Sequence, residues 1–406
     1  MKRFFVKKYI FAACFLACVL VFSAANMFYG REELAELAEE LGEVDSVETL
    51  QTWIGSVDGA LNDAVLGRMG FVETYGYVQK LLDKREFNNF YYVRGNDGMM
   101  YYSSLLRGTS DDLVEYAQNV RRMNEVVQQK GAQLLVVLPP AKILSGVTDV
   151  DLSWPLNDPN DRMDRFLLLL QQNGVTALDL RPAMQKSGYS LEELFFKTDH
   201  HWTPLAAFYA AGELVEQVRQ RFGDDWDPTG FYCDLDNYQQ STYPQCMLGS
   251  YGRNAGVVYS GLDDYTLLWP KFETNFTWFD MEHKESRSGP FERSLLDLSR
   301  LQVSDLYSGS VNMVYLDEVT EHDRIVNHEN PNGPKIIALR DSYFSPMACF
   351  LAPMCSELDM VWGRSSHNDM DFEAFIRESE YDYVILELYP YNLDEKNFDF
   401  FHGDDP

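Results

Sequence analysis

Hydrophobic and polar positions divide the chain into stretches of different rhythm. Tyr9 to Tyr29 carries no charge and follows Lys2, Arg3, Lys7 and Lys8. An apolar run of about 20 residues crosses a bilayer as a helix. A basic flank retained in the cytoplasm places everything after Arg31 outside. A cleaved signal peptide is the other reading, because Ser23-Ala24-Ala25 supplies small residues near a cleavage point. Both readings export the remainder. Arg31 to Val47 is acidic and Leu/Ala-rich and predicts a juxtamembrane helix, and Val57 to Lys84 keeps apolar residues at mixed helical spacing. Phe90-Tyr91-Tyr92-Val93 and Met99-Met100-Tyr101-Tyr102 flank Gly95-Asn96-Asp97-Gly98, which predicts a hairpin of two aromatic strands.

From Asp111 helical and strand patterns alternate. Leu113, Ala117, Val120, Met123 and Val127 recur at three and four, predicting a helix capped by Asp111 and Gly131. Leu134 to Leu138 is a continuous apolar run, as in a strand buried on both faces. Helices are expected at Arg162–Asn173, Pro204–Arg221, Phe344–Cys355 and Phe372–Ser379, and strands at Val175–Leu180, Lys335–Leu339, Leu358–Trp362 and Tyr383–Leu388. Asp227 to Asn332 breaks the rhythm and reads as an insertion of strands and loops. The expectation is an α/β protein with a mainly parallel sheet and helices on both faces. Its parts are 1–30 (basic stub and transmembrane anchor or signal peptide), 31–110 (juxtamembrane helices and hairpin), 111–226 and 333–406 (the two parts of the α/β domain), and 227–332 (the insertion).

Composition narrows the function. With 63 acidic and 34 basic side chains the formal charge is −29, which repels nucleic acid and anionic membrane surfaces. Cys233, Cys246, Cys349 and Cys355 lie where disulfides are permitted. By sequence distance, Cys233–Cys246 and Cys349–Cys355 are the simplest pairings. No CxxC or histidine-rich spacing accompanies them, so zinc is not expected.

Ligands in open α/β sheets bind beyond the carboxyl ends of the strands. Polar residues follow the predicted strands at Lys142, at Asp199-His200-His201-Trp202, at Arg340-Asp341-Ser342-Tyr343, and at Tyr389 and Asn392. Ser342 joins a strand to a helix, where backbone donors can stabilise an oxyanion. The same position also suits an ordinary helix cap. A serine nucleophile needs a base oriented by a carboxylate. In an extended segment Asp199 and His201 project to one side and His200 to the other. Metal binding by Asp199, His200 and His201, or packing of the histidines beneath Trp202, are the alternatives. Lys142 could hold an acidic substrate or be a solvated lysine. Asn392 could line an oxyanion pocket. Trp202, Tyr251, Trp269, Tyr343 and Trp362 could stack on sugars or pack in the core.

The string Asp199-His200-His201-Trp202 resembles the name-giving motif of the bacterial DHHW proteins. These are similar to the SGNH-hydrolase-like proteins of alginate acetylation, the AlgJ/AlgX type. Those carry an Asp-x-His-Trp segment followed much later by a serine turn, here Arg340-Asp341-Ser342-Tyr343, with Arg340 where glycine is usual. Gly95-Asn96-Asp97-Gly98, Pro140-Ala141-Lys142 and Trp362-Gly363-Arg364 also resemble segments of that group. The resemblance implies an SGNH-hydrolase-like (flavodoxin-like) fold and Ser342, His201 and Asp199 as a triad. Lys142, Tyr343, Arg340, Trp202 and Asn392 then become candidates for substrate contact. It implies serine-dependent O-acetyl transfer to or from a cell-surface or secreted polysaccharide, as an acetyltransferase or an acetylesterase, with no metal or organic cofactor and with a membrane-bound O-acyltransferase as partner. A catalytically inactive surface protein that binds glycan or such a partner is the rival expectation.

Overall fold

The computed structural model describes residues 2–31, 35, 49–50, 53–57, 65–102, 112–148, 158–317, 320–363, 370–393 and 397–398. Most of the predicted juxtamembrane helix, the predicted cap Asp111, and Arg364 lie outside the described residues. The chain forms two compact units, Met1–Val78 and Gln79–Pro406. In the first, Lys2–Tyr29 is one helix. Within Lys7–Tyr29 an 18-residue window reaches a mean hydropathy of 2.2, and none of that window is buried. An exposed apolar helix of that length suits lipid.

The second unit opens on a three-stranded antiparallel sheet of β1 (Glu86–Phe87), β2 (Tyr92–Arg94) and β3 (Met100–Tyr102). Tyr92 pairs with Tyr102 and Arg94 with Met100. Asp97 closes the turn: its carboxylate accepts the Met99 amide at 2.9 Å and the Tyr101 hydroxyl at 2.6 Å. Such side-chain-to-backbone bonds are what make Asx residues turn formers.

The α/β rhythm produces β4 (Gln133–Leu138) and β5 (Ala177–Asp179). Within 227–332 come β6 (Tyr238–Met247), β7 (Asp263–Pro270), β8 (Phe276–Asp280), β9 (Glu285–Gly289) and β10 (His322–Asn327). The chain ends through β11 (Lys335–Arg340), β12 (Glu357–Trp362) and β13 (Tyr383–Glu387). One sheet has the order β5-β4-β13-β11-β12-β10-β8-β9. Its first five strands are parallel, and β10, β8 and β9 extend it antiparallel. β6 and β7 form a separate pair.

Alternation along the buried strands assigns the two faces. Leu135, Val137, Ile336, Ala338 and Ile385 join one apolar cluster with Ala207, Leu214 and Met347, from the helices Pro204–Phe222 and Phe344–Leu351. Leu134, Val136, Ile337, Leu339 and Val384 face the other, with Val120, Phe166 and Ile376 from Leu113–Gln129, Pro159–Gln172 and Phe372–Glu378. Helices therefore cover both faces of the parallel strands, as apolar side chains on both sides of a strand require. The helix Pro204–Phe222 begins with Pro204 after Thr203, whose hydroxyl accepts the Ala206 amide at 3.3 Å, and stops at Gly223 with φ of 81°.

The cysteine expectation is corrected: Cys233, Cys246, Cys349 and Cys355 are all free thiols. Cys355 Sγ donates to Leu351 O at 3.3 Å, and Cys233 Sγ lies 3.9 Å from Met354 Sδ, so local packing has turned these thiols to other neighbours.

Candidate active site

β11 ends at Arg340, and Asp341 and Ser342 bridge to the helix Phe344–Leu351. Asp341 shapes this junction. Its carboxylate accepts the Tyr343 amide at 2.9 Å, the Tyr389 amide at 2.7 Å and the Asn392 carboxamide at 2.7 Å. The strand ends of β11 and β13 are thereby tied together. Among the described residues the Ser342 amide has no hydrogen-bond partner, and Ser342 itself is half-buried.

The loop from Phe195 to Thr203 arrives from the other side. It is pinched by a bridge between Phe195 and Trp202 and tied at its base to Asp263, whose carboxylate accepts the Lys197 and Thr198 amides at 2.6 and 2.8 Å. Residues 249–252 brace its top. The Ser250 amide donates to Asp199 Oδ2 at 2.6 Å, and the Tyr251 and Gly252 amides donate to Thr198 O at 3.0 and 2.9 Å. A Cβ at Gly249 would lie 2.3 Å from Asp199 Cβ, so this approach requires glycine.

These supports bring three predicted residues together. Ser342 Oγ lies 2.8 Å from His201 Nε2, and His201 Nδ1 lies 2.6 Å from Asp199 Oδ1, which also accepts the His201 amide at 3.0 Å. Asp199 is 2% exposed and His201 8%. Burial alone would raise the Asp199 carboxyl; the His200 and His201 rings and the bonds from His201 and the Ser250 amide hold it well below the usual carboxylate range. An ionised carboxylate on Nδ1 fixes the tautomer that leaves Nε2 free to accept the serine proton.

His200 does not point away, and that expectation is corrected. The segment bends rather than extends. The two imidazole centroids lie 3.8 Å apart, and His200 Nδ1 lies 3.3 Å from Asp199 Oδ1 and 3.2 Å from Ser250 Oγ. Burial, then the neighbouring His201, pulls its pKa down to about 3, against the opposing pull of Asp199. Asp199, His200 and His201 thus place ligand-type atoms within 4.8 Å of one another. Both nitrogens of His201 are already engaged, with Asp199 and Ser342.

The five residues expected to touch substrate are turned to structural contacts. Lys142 is 4% exposed and its ammonium donates to Met100 O and Lys197 O, both at 3.1 Å, locking β3 to the histidine loop; burial lowers its pKa to about 8. Arg340 is fully buried and paired with Asp323 at 2.7 Å across β12, because a guanidinium inside a sheet needs a carboxylate. Trp202 donates its indole N–H to Tyr343 O at 3.0 Å. Tyr343 is 1% exposed, donates to His200 O, and stacks on Tyr389 at 4.4 Å. Asn392 is bound to Asp341. Lys142, Arg340, Trp202 and Tyr343 are buried, whereas Asn392 is partly exposed. Asp341, Gly249, Ser250 and Asp263 hold the site and were not singled out by residue type; the only sequence signal was the carboxylate directly before Ser342.

A mainly parallel sheet with a serine at the carboxyl end of a central strand defines the class: the fold is SGNH-hydrolase-like. Residues 92–240 match the family described as the SGNH hydrolase-like domain of the acetyltransferase AlgX. The chain is similar in fold to a DHHW family protein from Eubacterium siraeum, with a TM-score of 0.57 and 18% identity over 76% of this chain and 93% of that one. It is similar also to Bacillus cereus PatB1 with a sulfonyl adduct, with a TM-score of 0.61 and 15% identity over 77% and 97% of the two chains. In sequence, 118 residues are 30% identical to "Probable alginate O-acetylase AlgJ" of Pseudomonas putida, covering 29% of this chain and 30% of the relative. The chain thus spans about a third of the length of the curated relatives it matches. The resemblance carried by Asp-His-His-Trp, to DHHW proteins and to the AlgJ/AlgX type, holds.

Proposed function

We propose that this protein is an extracytoplasmic, serine-dependent O-acetyltransferase acting on hydroxyl groups of a cell-surface or secreted polysaccharide. The observation that carries the reading is the continuous hydrogen-bonded line Ser342–His201–Asp199 beside an unpartnered Ser342 amide. Ser342 Oγ attacks the carbonyl of an acetyl donor while His201 Nε2 takes its proton. The Ser342 N–H is placed to receive the developing oxyanion, and the leaving group departs with the proton held by His201. The acetyl-serine then accepts attack by a sugar hydroxyl, whose proton passes to His201, and Ser342 regains its own proton as the ester bond to the enzyme breaks.

Two further observations support the setting. The similarity to a protein named as an alginate O-acetylase suggests a polysaccharide acceptor. Lys2, Arg3, Lys7 and Lys8 before the apolar helix favour a cytoplasmic N-terminus and an exported second unit. A membrane-bound O-acyltransferase would supply the acetyl donor to a tethered enzyme of this kind. The test incubates the full chain, in neutral detergent, with p-nitrophenyl acetate and an oligosaccharide, and follows acetyl-sugar by mass spectrometry. The expected result is acetyl-sugar that disappears with Ser342→Ala. Acetyl-sugar formed equally by Ser342→Ala contradicts the reading.

A further inference from the structure

The apolar N-terminal helix is met near its far end by a second helix, Arg68–Leu81. The start of that helix is fixed on the first: the Leu66 amide donates to Asn26 Oδ1 at 2.6 Å, and Phe71 makes a T-shaped contact with Phe22, ring centroids 6.0 Å apart. At about 1.5 Å per residue, Phe22 and Asn26 lie about 22 and about 28 Å beyond Lys7, and the hydrocarbon core of a bilayer is about 30 Å thick. With Lys7 at the inner edge of a bilayer, both contacts fall just inside its outer edge. An amide oxygen at that depth needs a donor, and the Leu66 amide supplies one.

The second helix keeps an apolar face exposed. Phe71, Tyr75 and Val78 follow one another at four and three residues, so they share one side, and they are 59%, 44% and 44% exposed. Glu73 and Lys80 fall about half a turn away from Phe71, on the opposite side. Single exposed apolar side chains are ordinary on a protein surface, but a stripe of them along a helix marks a face that something covers. An apolar stripe with charges opposite is the pattern of a helix lying flat in a lipid interface. Rings that carry a hydroxyl, as Tyr75 and Tyr77 do, sit at the level of the headgroups.

We infer that Arg68–Leu81 is an interfacial helix, which lays Phe71, Tyr75 and Val78 into the outer leaflet at the boundary between headgroups and acyl chains. The occupant of this face is lipid rather than a second copy of the chain, because the helix is tied to the first at the depth where that boundary falls. Apolar insertion also needs no anionic lipid, which a chain of 63 acidic and 34 basic side chains repels. The inference goes beyond acyl transfer and rests only on the reading of the apolar helix as a tether.

The experiment identifies what touches each face. Phe71, Val78, Lys80 and Phe15 are replaced in turn by the photoreactive residue p-benzoylphenylalanine. Each full-length variant is reconstituted into phosphatidylcholine vesicles and irradiated, and its adducts are sorted by mass as chain plus lipid or chain plus chain. Phe15, on the apolar helix and 60% exposed, is the reference for lipid contact. Phe71 and Val78 should give lipid adducts as Phe15 does, at least about 10-fold above the yield at Lys80 on the opposite side. Lipid yields at Phe71 and Val78 no higher than at Lys80, with Phe15 labelled, overturn the inference and leave the tether standing. Chain-to-chain adducts in place of lipid at Phe71 and Val78 overturn it too and make this face a contact between copies. Absence of lipid adducts at Phe15 contradicts the tether and the inference with it.

Discussion

On the proposed reading the Ser342 hydroxyl becomes a nucleophile only through what surrounds it: His201, at 2.8 Å, would be its base, and Asp199, at 2.6 Å from the other ring nitrogen, would keep that base oriented. His201→Ala should therefore lower acetyl transfer by about 10³-fold or more, because members of such a set act as a unit. His200→Ala should cost much less, since it leaves all three of those side chains in place. Rates of the two variants, compared at matched thermal midpoints, check this. A larger loss for His200→Ala in a folded protein contradicts the assignment. The three residues were legible because their strings are local: Asp199 and His201 sit two apart, and Ser342 follows an apolar strand. The bend that turns His200 back onto Asp199 was not legible. It depends on Gly249, Ser250 and Asp263, which approach from more than 40 positions away in sequence.

Among the elements, β4, β11 and β13 were readable as uninterrupted apolar runs, since burial on both faces leaves no polar alternation to confuse with a helix. β8, β9 and β10 were not placed by their sequence. They are short and half-polar, and their neighbours in the sheet are set by long-range pairing such as Asp323 with Met360 and Ile325 with Trp278. Arg340 reads as an obstacle beside Ser342 until β10 supplies Asp323 as its counterion. Glu387 at the end of β13 shows how tightly these strand ends are closed. It is fully buried, and burial together with the charge of Asp341 raises its carboxyl well above the usual range. The folded protein thus holds a proton that the unfolded chain releases above about pH 4.3. The contribution of Glu387 to stability is greatest below that value and declines as pH rises through the folded-state pKa. Glu387→Gln keeps the shape and removes the titration. Its thermal midpoint relative to wild type should rise as pH increases above about 4.3. A difference that stays constant over that range contradicts a neutral Glu387.

For the whole molecule, the proposed reading makes the apolar N-terminal helix a tether and puts the second unit outside the cytoplasm. Protease added to intact cells should digest the second unit; full protection, where a known external protein is cut, contradicts the topology. The account turns on one chemical event, formation of an acetyl ester on Ser342. Brief incubation of the full chain with p-nitrophenyl acetate, quenched in acid and mapped by peptide mass spectrometry, reads that event directly. The account predicts one acetyl group, on Ser342, absent from Ser342→Ala and formed more slowly by His201→Ala. Acetyl groups spread over lysines, with Ser342 unmodified while acetyl-sugar accumulates, would contradict it.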